Sequence, residues 1–127
     1  MFWRVLYIED DPASMLLVYR IVVRVGYEML QATNGLDGLE VAERNKPQLI
    51  LTDVNLPYLD GIEVTKRLKA DPSLADIPII AITGQADPHW ERACLEAGCE
   101  AFIAKPIDTR YLRKLIQDYV ENGANYG

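Results

Sequence analysis

Cysteine, histidine and phenylalanine are scarce in this chain of 127 residues, which has two, one and two of them. Two thiols cannot form a disulfide framework. Cys94 and Cys99, separated by four residues that include Gly98, have no second cysteine pair or histidine cluster with which to hold zinc, so they are expected as packing residues. The lone His89 argues against a Ser–His–Asp hydrolase triad. No window reaches the roughly 18 apolar residues of a membrane span. The opening MFWRVLYIEDD has neither a basic start before a long apolar run nor a small-residue cleavage site. These absences point to a cytoplasmic protein with no membrane partner. A basic excess is also missing, with 13 Lys and Arg against 19 Asp and Glu and a formal charge of -6. The basic residues form no stripe along the sequence, so direct nucleic-acid binding is not expected.

What is present is enough apolar material, half of all residues, to build one core without metal or disulfide, burying roughly two-thirds of the unfolded surface. Arg4 to Ile8 reads as a strand ending abruptly in Glu9-Asp10-Asp11, and Pro12 can occupy the first turn of a helix running from Ala13 to Val25. That helix is apolar around more of its circumference than a surface helix requires, which suggests either a recognition surface beside the core face or thicker packing against the sheet. Tyr27 to Ala32 fits a second strand, Asn34-Gly35 a turn and Leu36 to Arg44 a helix. Leu49-Ile50-Leu51 is too continuously apolar to have one wet face, which is the mark of a covered parallel strand. A helix over Ile62 to Ala70, a strand over Ile77 to Ile82 and a helix begun by Asp87-Pro88 follow. A short strand over Ala101 to Ala104 and a helix capped by Asp108 and ending near Asn122 complete the pattern. Five strand–helix pairs with right-handed crossovers build an α/β fold, a doubly wound five-stranded parallel sheet with helices on both faces. Residues 1–122 form one domain, and 123–127 are expected as a frayed tail.

Ligands of such sheets bind outside the carboxyl ends of the strands. The residues expected there are Asp10 and Asp11, Asp53, Thr83 and Lys105. Three carboxylates brought together repel one another, and a hard divalent cation relieves that repulsion through oxygen ligands. Mg²⁺ fits. Asp11 and Asp53 are the expected direct ligands, Asp10 holds a metal-bound water, and the Asn55 carbonyl supplies a further oxygen. If Asp53 attacks a phosphoryl group, the cation and the Lys105 ammonium neutralise charge on its equatorial oxygens, and the Thr83 hydroxyl donates to another. Read singly, each acid is an ordinary cap or turn residue, as Asp37, Asp60 and Asp87 are taken to be; the combination at the strand ends points to a site.

The residues resemble one known family, the receiver domains of two-component response regulators. The resemblance runs from Arg4 through Tyr119. It rests on the acidic pair after the first strand, DVNLPYLDG around Asp53, Ile82-Thr83-Gly84, and Phe102-Ile103-Ala104-Lys105-Pro106. It implies a flavodoxin-like (βα)5 fold, Asp53 as phospho-acceptor, Asp10 and Asp11 as Mg²⁺ acids, Thr83 and Phe102 as switch residues, Lys105 as the phosphate-contacting lysine, and a cis Lys105–Pro106 bond. It further implies a histidine kinase or histidine phosphotransfer protein as donor, self-catalysed phosphorylation and hydrolysis, and a downstream protein target. The chain resembles free-standing members, and equally a receiver cut from a larger regulator. A non-phosphorylated interaction module on the same fold is the alternative. A Mg²⁺-dependent phosphatase would need a general acid near Asp53, a role Asn55 cannot fill.

Overall fold

The structure, a computed structural model, describes residues 3–84 and 87–122; the expected tail at 123–127 lies outside them, as does Gln85. Five strands, β1 (Arg4–Ile8), β2 (Glu28–Ala32), β3 (Leu49–Thr52), β4 (Ile79–Thr83) and β5 (Ala101–Ala104), alternate with five helices. These are α1 (Pro12–Arg24), α2 (Gly35–Asn45), α3 (Gly61–Ala70), α4 (Pro88–Ala97) and α5 (Thr109–Asn122). The sheet is parallel throughout, in the order β2-β1-β3-β4-β5. This is the doubly wound fold that the repeat of apolar runs and helical patterns predicts.

Alternation along the strands sorts the core into two layers. Val5, Tyr7, Leu49, Leu51, Ile80 and Ile82 face α1 and α5, where they meet Val18, Ile21, Leu112 and Ile116. Leu6, Ile8, Ile50, Ile79 and Ala81 face the other way, against Ala42, Val64, Leu68 and Cys94. Cys94 and Cys99 are both buried in this second layer, the packing role expected of them. Trp90 packs at its edge, beside the exposed His89.

Helix starts follow local chemistry. Asp11, Asn34, Asp60 and Asp87 each accept the backbone N–H three residues on, from Ser14, Asp37, Glu63 and Trp90, which satisfies an otherwise orphaned donor. Asp108 does the same for Arg110 and Tyr111 at 3.1 Å. Asn34 is therefore a helix cap and not the turn residue expected. In α1, Met15, Val18, Ile21 and Val22 are buried, while Leu16, Tyr19 and Val23 remain 49%, 41% and 46% exposed. The excess apolar character of that helix is thus divided between the core and an outward ridge.

One glycine fixes the loop after β3. A Cβ on Gly61 would lie 2.0 Å from the Asp53 carbonyl oxygen, and the Gly61 N–H donates to the Val54 carbonyl at 2.8 Å. The Asp60-Gly61 pair is thus a close backbone approach that folds the loop beneath Asp53, not only a turn. Replacing Gly61 with Ala is expected to lower stability by about 2–3 kcal/mol through overpacking against rigid backbone. Gly84→Ala, where the added carbon meets nothing within 4 Å, should cost less than about 1 kcal/mol. Denaturant unfolding of the two variants checks the contrast.

Candidate functional site

Three strands, two of them neighbours, carry the site to one edge of the sheet. β1 delivers Glu9 and Asp10, β3 delivers Asp53, and Lys105 follows β5. The register, with Ile8 opposite Thr52 and Thr52 opposite Ala81, makes these ends nearly level. Asp53 is 6% exposed and Glu9 1%, so neither carboxylate is held by water alone and each needs protein partners.

Lys105 supplies the main one. Its ammonium donates to Asp53 Oδ2 at 3.2 Å and makes a short contact with Glu9 Oε1. Glu9 also accepts the Tyr7 hydroxyl at 3.0 Å and the backbone N–H groups of Asp10 and Asp11 at 3.1 and 3.4 Å. Asp53 Oδ1 accepts the Asn55 N–H at 3.2 Å. Among the described residues no buried side-chain nitrogen or oxygen lacks a partner. The Lys105 backbone N–H binds the Thr83 carbonyl at 2.9 Å, and the Lys105–Pro106 peptide that follows is cis.

The electrostatics follow from crowding. Burial raises the Glu9 carboxyl above the ordinary range, the hydrogen bond from Lys105 works against that rise, and nearby Asp53 adds to it. For Lys105, burial disfavours the charged form, but Glu9 and Asp53 together hold the ammonium above the usual lysine range. The Tyr7 hydroxyl is pushed up by burial and then by Glu9, so it stays a neutral donor.

Carboxylate oxygens of Glu9, Asp10 and Asp53 all lie within 4.8 Å of one another. An all-oxygen donor set of this charge suits a hard divalent cation such as Mg²⁺. The sequence pattern instead pairs Asp10 with Asp11, and here the structure differs. The Asp11 carboxylate accepts the Ser14 hydroxyl at 2.7 Å and the Ser14 N–H at 3.1 Å. Those bonds favour the charged carboxylate and hold its pKa below the ordinary value, and its role is to cap α1. Glu9, read only as part of an acidic tip, takes the place given to Asp11. Two features of the sequence point to it: it directly follows the buried strand, and Asp11-Pro12 carries the same cap-then-proline order as Asp87-Pro88.

The other expected residues lie where the topology puts them. Thr83 closes β4 and is fully buried. Asn55 is exposed, with its N–H on Asp53. Phe102 is half-buried on β5, opposite Ala81, and packs against the layer containing Leu68 and Cys94. Beside the acidic cluster runs a groove of about 440 Å³ between α1 and β2, lined by Met15, Leu16, Tyr19 and Gln31. No helix among the described residues is long and apolar enough to cross a membrane.

A family model described as the response regulator receiver domain matches residues 5–117. The polar-differentiation response regulator DivK of Brucella anthropi is 40% identical over 116 residues, which span 91% of this chain and 94% of that protein. The receiver domain of sensor histidine kinase PA1611 from Pseudomonas aeruginosa, solved with a magnesium ion in its active-site cleft, superposes with a TM-score of 0.87. It is 29% identical over 95% of this chain and 99% of its own. A CheY-like receiver domain protein from Methanospirillum hungatei gives a TM-score of 0.91 at 28% identity, with both chains fully covered.

The two acids after β1 separate by experiment. Asp10→Asn is expected to weaken Mg²⁺ binding by roughly tenfold or more through loss of an oxygen ligand. Asp11→Ala should leave Mg²⁺ affinity nearly unchanged and lower stability by about 1 kcal/mol through loss of the cap. Calorimetric Mg²⁺ titration and denaturant unfolding read the two effects.

Proposed function

This chain belongs to the response regulator receiver domain family, whose members signal through a phospho-aspartate in a Mg²⁺-dependent reaction, and we propose that Asp53 is the acceptor. The observation that carries this reading is the placement of a buried carboxylate between a lysine ammonium and two further acids at the carboxyl edge of the sheet. A histidine kinase or histidine phosphotransfer protein is the donor. The Asp53 oxygen attacks phosphorus, the P–N bond to the donor histidine breaks, and the imidazole leaves with its electron pair and takes a proton. Hydrolysis reverses the state, with water attacking phosphorus and the aspartyl P–O bond breaking to release inorganic phosphate.

Glu9, Asp10 and Asp53 would hold Mg²⁺, with the Asn55 carbonyl as a further oxygen. When bound, the cation neutralises charge on the phosphoryl oxygens. Within the chain, Lys105 stands beside the acceptor carboxylate and can follow the incoming phosphoryl group, trading one anionic partner for another. Thr83 is the hydroxyl that answers the new oxygens, and Phe102 the aromatic ring whose position reports that movement to the face made by α4, β5 and α5. The exposed ridge of α1, with Leu16 and Tyr19 beside the acidic cluster, is the docking surface for the phosphodonor. The setting is cytoplasmic.

Intact-mass measurement after incubation with Mg²⁺ and acetyl phosphate tests the proposal. One phosphoryl adduct is expected on the natural chain and none on Asp53→Ala, and Lys105→Gln should slow adduct formation roughly a hundredfold. A folded chain that binds Mg²⁺ yet takes no adduct from acetyl phosphate or from a phosphohistidine protein overturns it in favour of an interaction module.

A further inference from the structure

The fold gathers basic residues that the sequence scatters. Arg20 and Arg24 from α1 and Arg110 and Arg113 from α5 line one cleft of about 220 Å³, over Leu17 and Ile21. No carboxylate pairs with any of the four among the described residues, whereas the exposed Arg44 and Arg67 pair with Glu40 and Glu63 one turn away. Instead, like charges are neighbours within each helix. Arg20 and Arg24 are spaced i,i+4, Arg110 and Arg113 i,i+3, and Lys114 lies i,i+4 from Arg110. Such spacings repel and destabilise an isolated helix. A chain of charge -6 therefore concentrates uncompensated positive charge in a concave place.

We infer that this cleft binds a small phosphorylated molecule with adjacent phosphoryl groups, of the class of nucleoside di- or triphosphates. Guanidinium forks match phosphate oxygens two at a time, which a lysine ammonium does not. Four of them in one cleft call for a group that packs several negative charges into little space, and one side-chain carboxylate brings only one. The volume is below the roughly 300 Å³ at which pockets enclose drug-sized ligands, so the charged group enters and the organic part rests at the rim, against Leu17. Thr109, at the first turn of α5, adds a hydroxyl to the lining. None of these residues belongs to the acidic cluster, so the inference stands apart from the role given to Asp53. A ligand here bridges α1 and α5 and stabilises the fold by mass action.

Two-dimensional ¹H–¹⁵N NMR of the full chain without divalent cations tests this, with inorganic pyrophosphate and ATP as probes and sulfate at matched ionic strength as control. Saturable shifts confined to the second half of α1 and the first turns of α5 are expected, and they should persist in Asp53→Ala. Arg20→Gln and Arg113→Gln should each weaken binding roughly tenfold, Arg92→Gln on α4 should not, and added salt should weaken it further. Shifts that fail to saturate, or that sulfate reproduces, would reduce the cleft to a diffuse counter-ion surface and overturn the inference. Tighter binding of a glutamate-rich helical peptide than of either phosphate probe overturns it in favour of protein docking.

Discussion

A single ammonium holds the functional edge of this molecule together. Lys105 reaches Glu9 and Asp53 at once, joining the ends of β1, β3 and β5 through charge where the strands themselves can only bring backbones level. Without it, two nearly buried carboxylates would face each other with no counter-charge, an arrangement whose penalty is several kcal/mol per uncompensated ion. The supporting bonds serve the same end. Tyr7 and two backbone N–H groups donate to Glu9 as well, and the Thr83 carbonyl fixes the backbone from which Lys105 extends.

That interaction also accounts for what was legible in the sequence. Apolar runs ending in acids, repeated at strand–helix spacing, are enough to place Asp53 and Lys105 at one edge, because a parallel sheet sends every carboxyl end the same way. They are not enough to choose among three successive acids. Strand alternation says which side a residue faces only while the chain stays extended, and beyond Ile8 it turns toward α1. Which of Glu9 and Asp11 joins the cluster is decided by a competing local demand, the need of the first turn of α1 for a cap. Asn34 departs from the turn that its sequence suggests for a related reason, since a cap and a turn favour the same side chains. Gly61 shows the deeper limit: its necessity comes from the Asp53 backbone, a contact with no trace in the local pattern.

Charge shows the same divide between order and fold. Net charge and linear spacing describe an acidic chain with dispersed basic residues, yet the packing of α1 and α5 on one sheet face brings four arginines to one cleft. The carboxylates gather at the strand ends and the arginines between two helices. A single value of -6 therefore averages two fields of opposite sign, and each attracts its own class of ligand.

The order of synthesis gives the strand arrangement a further meaning. β1 and β3 are neighbours in the sheet and leave the ribosome first, while β5 and Lys105 follow Asp53 by about fifty residues. A polypeptide that stops before β5 thus carries the acids of β1 and β3 without the cation that makes them compatible. Chemical competence at this edge waits for β5, because the acids that follow β1 and β3 share the one ammonium that follows it.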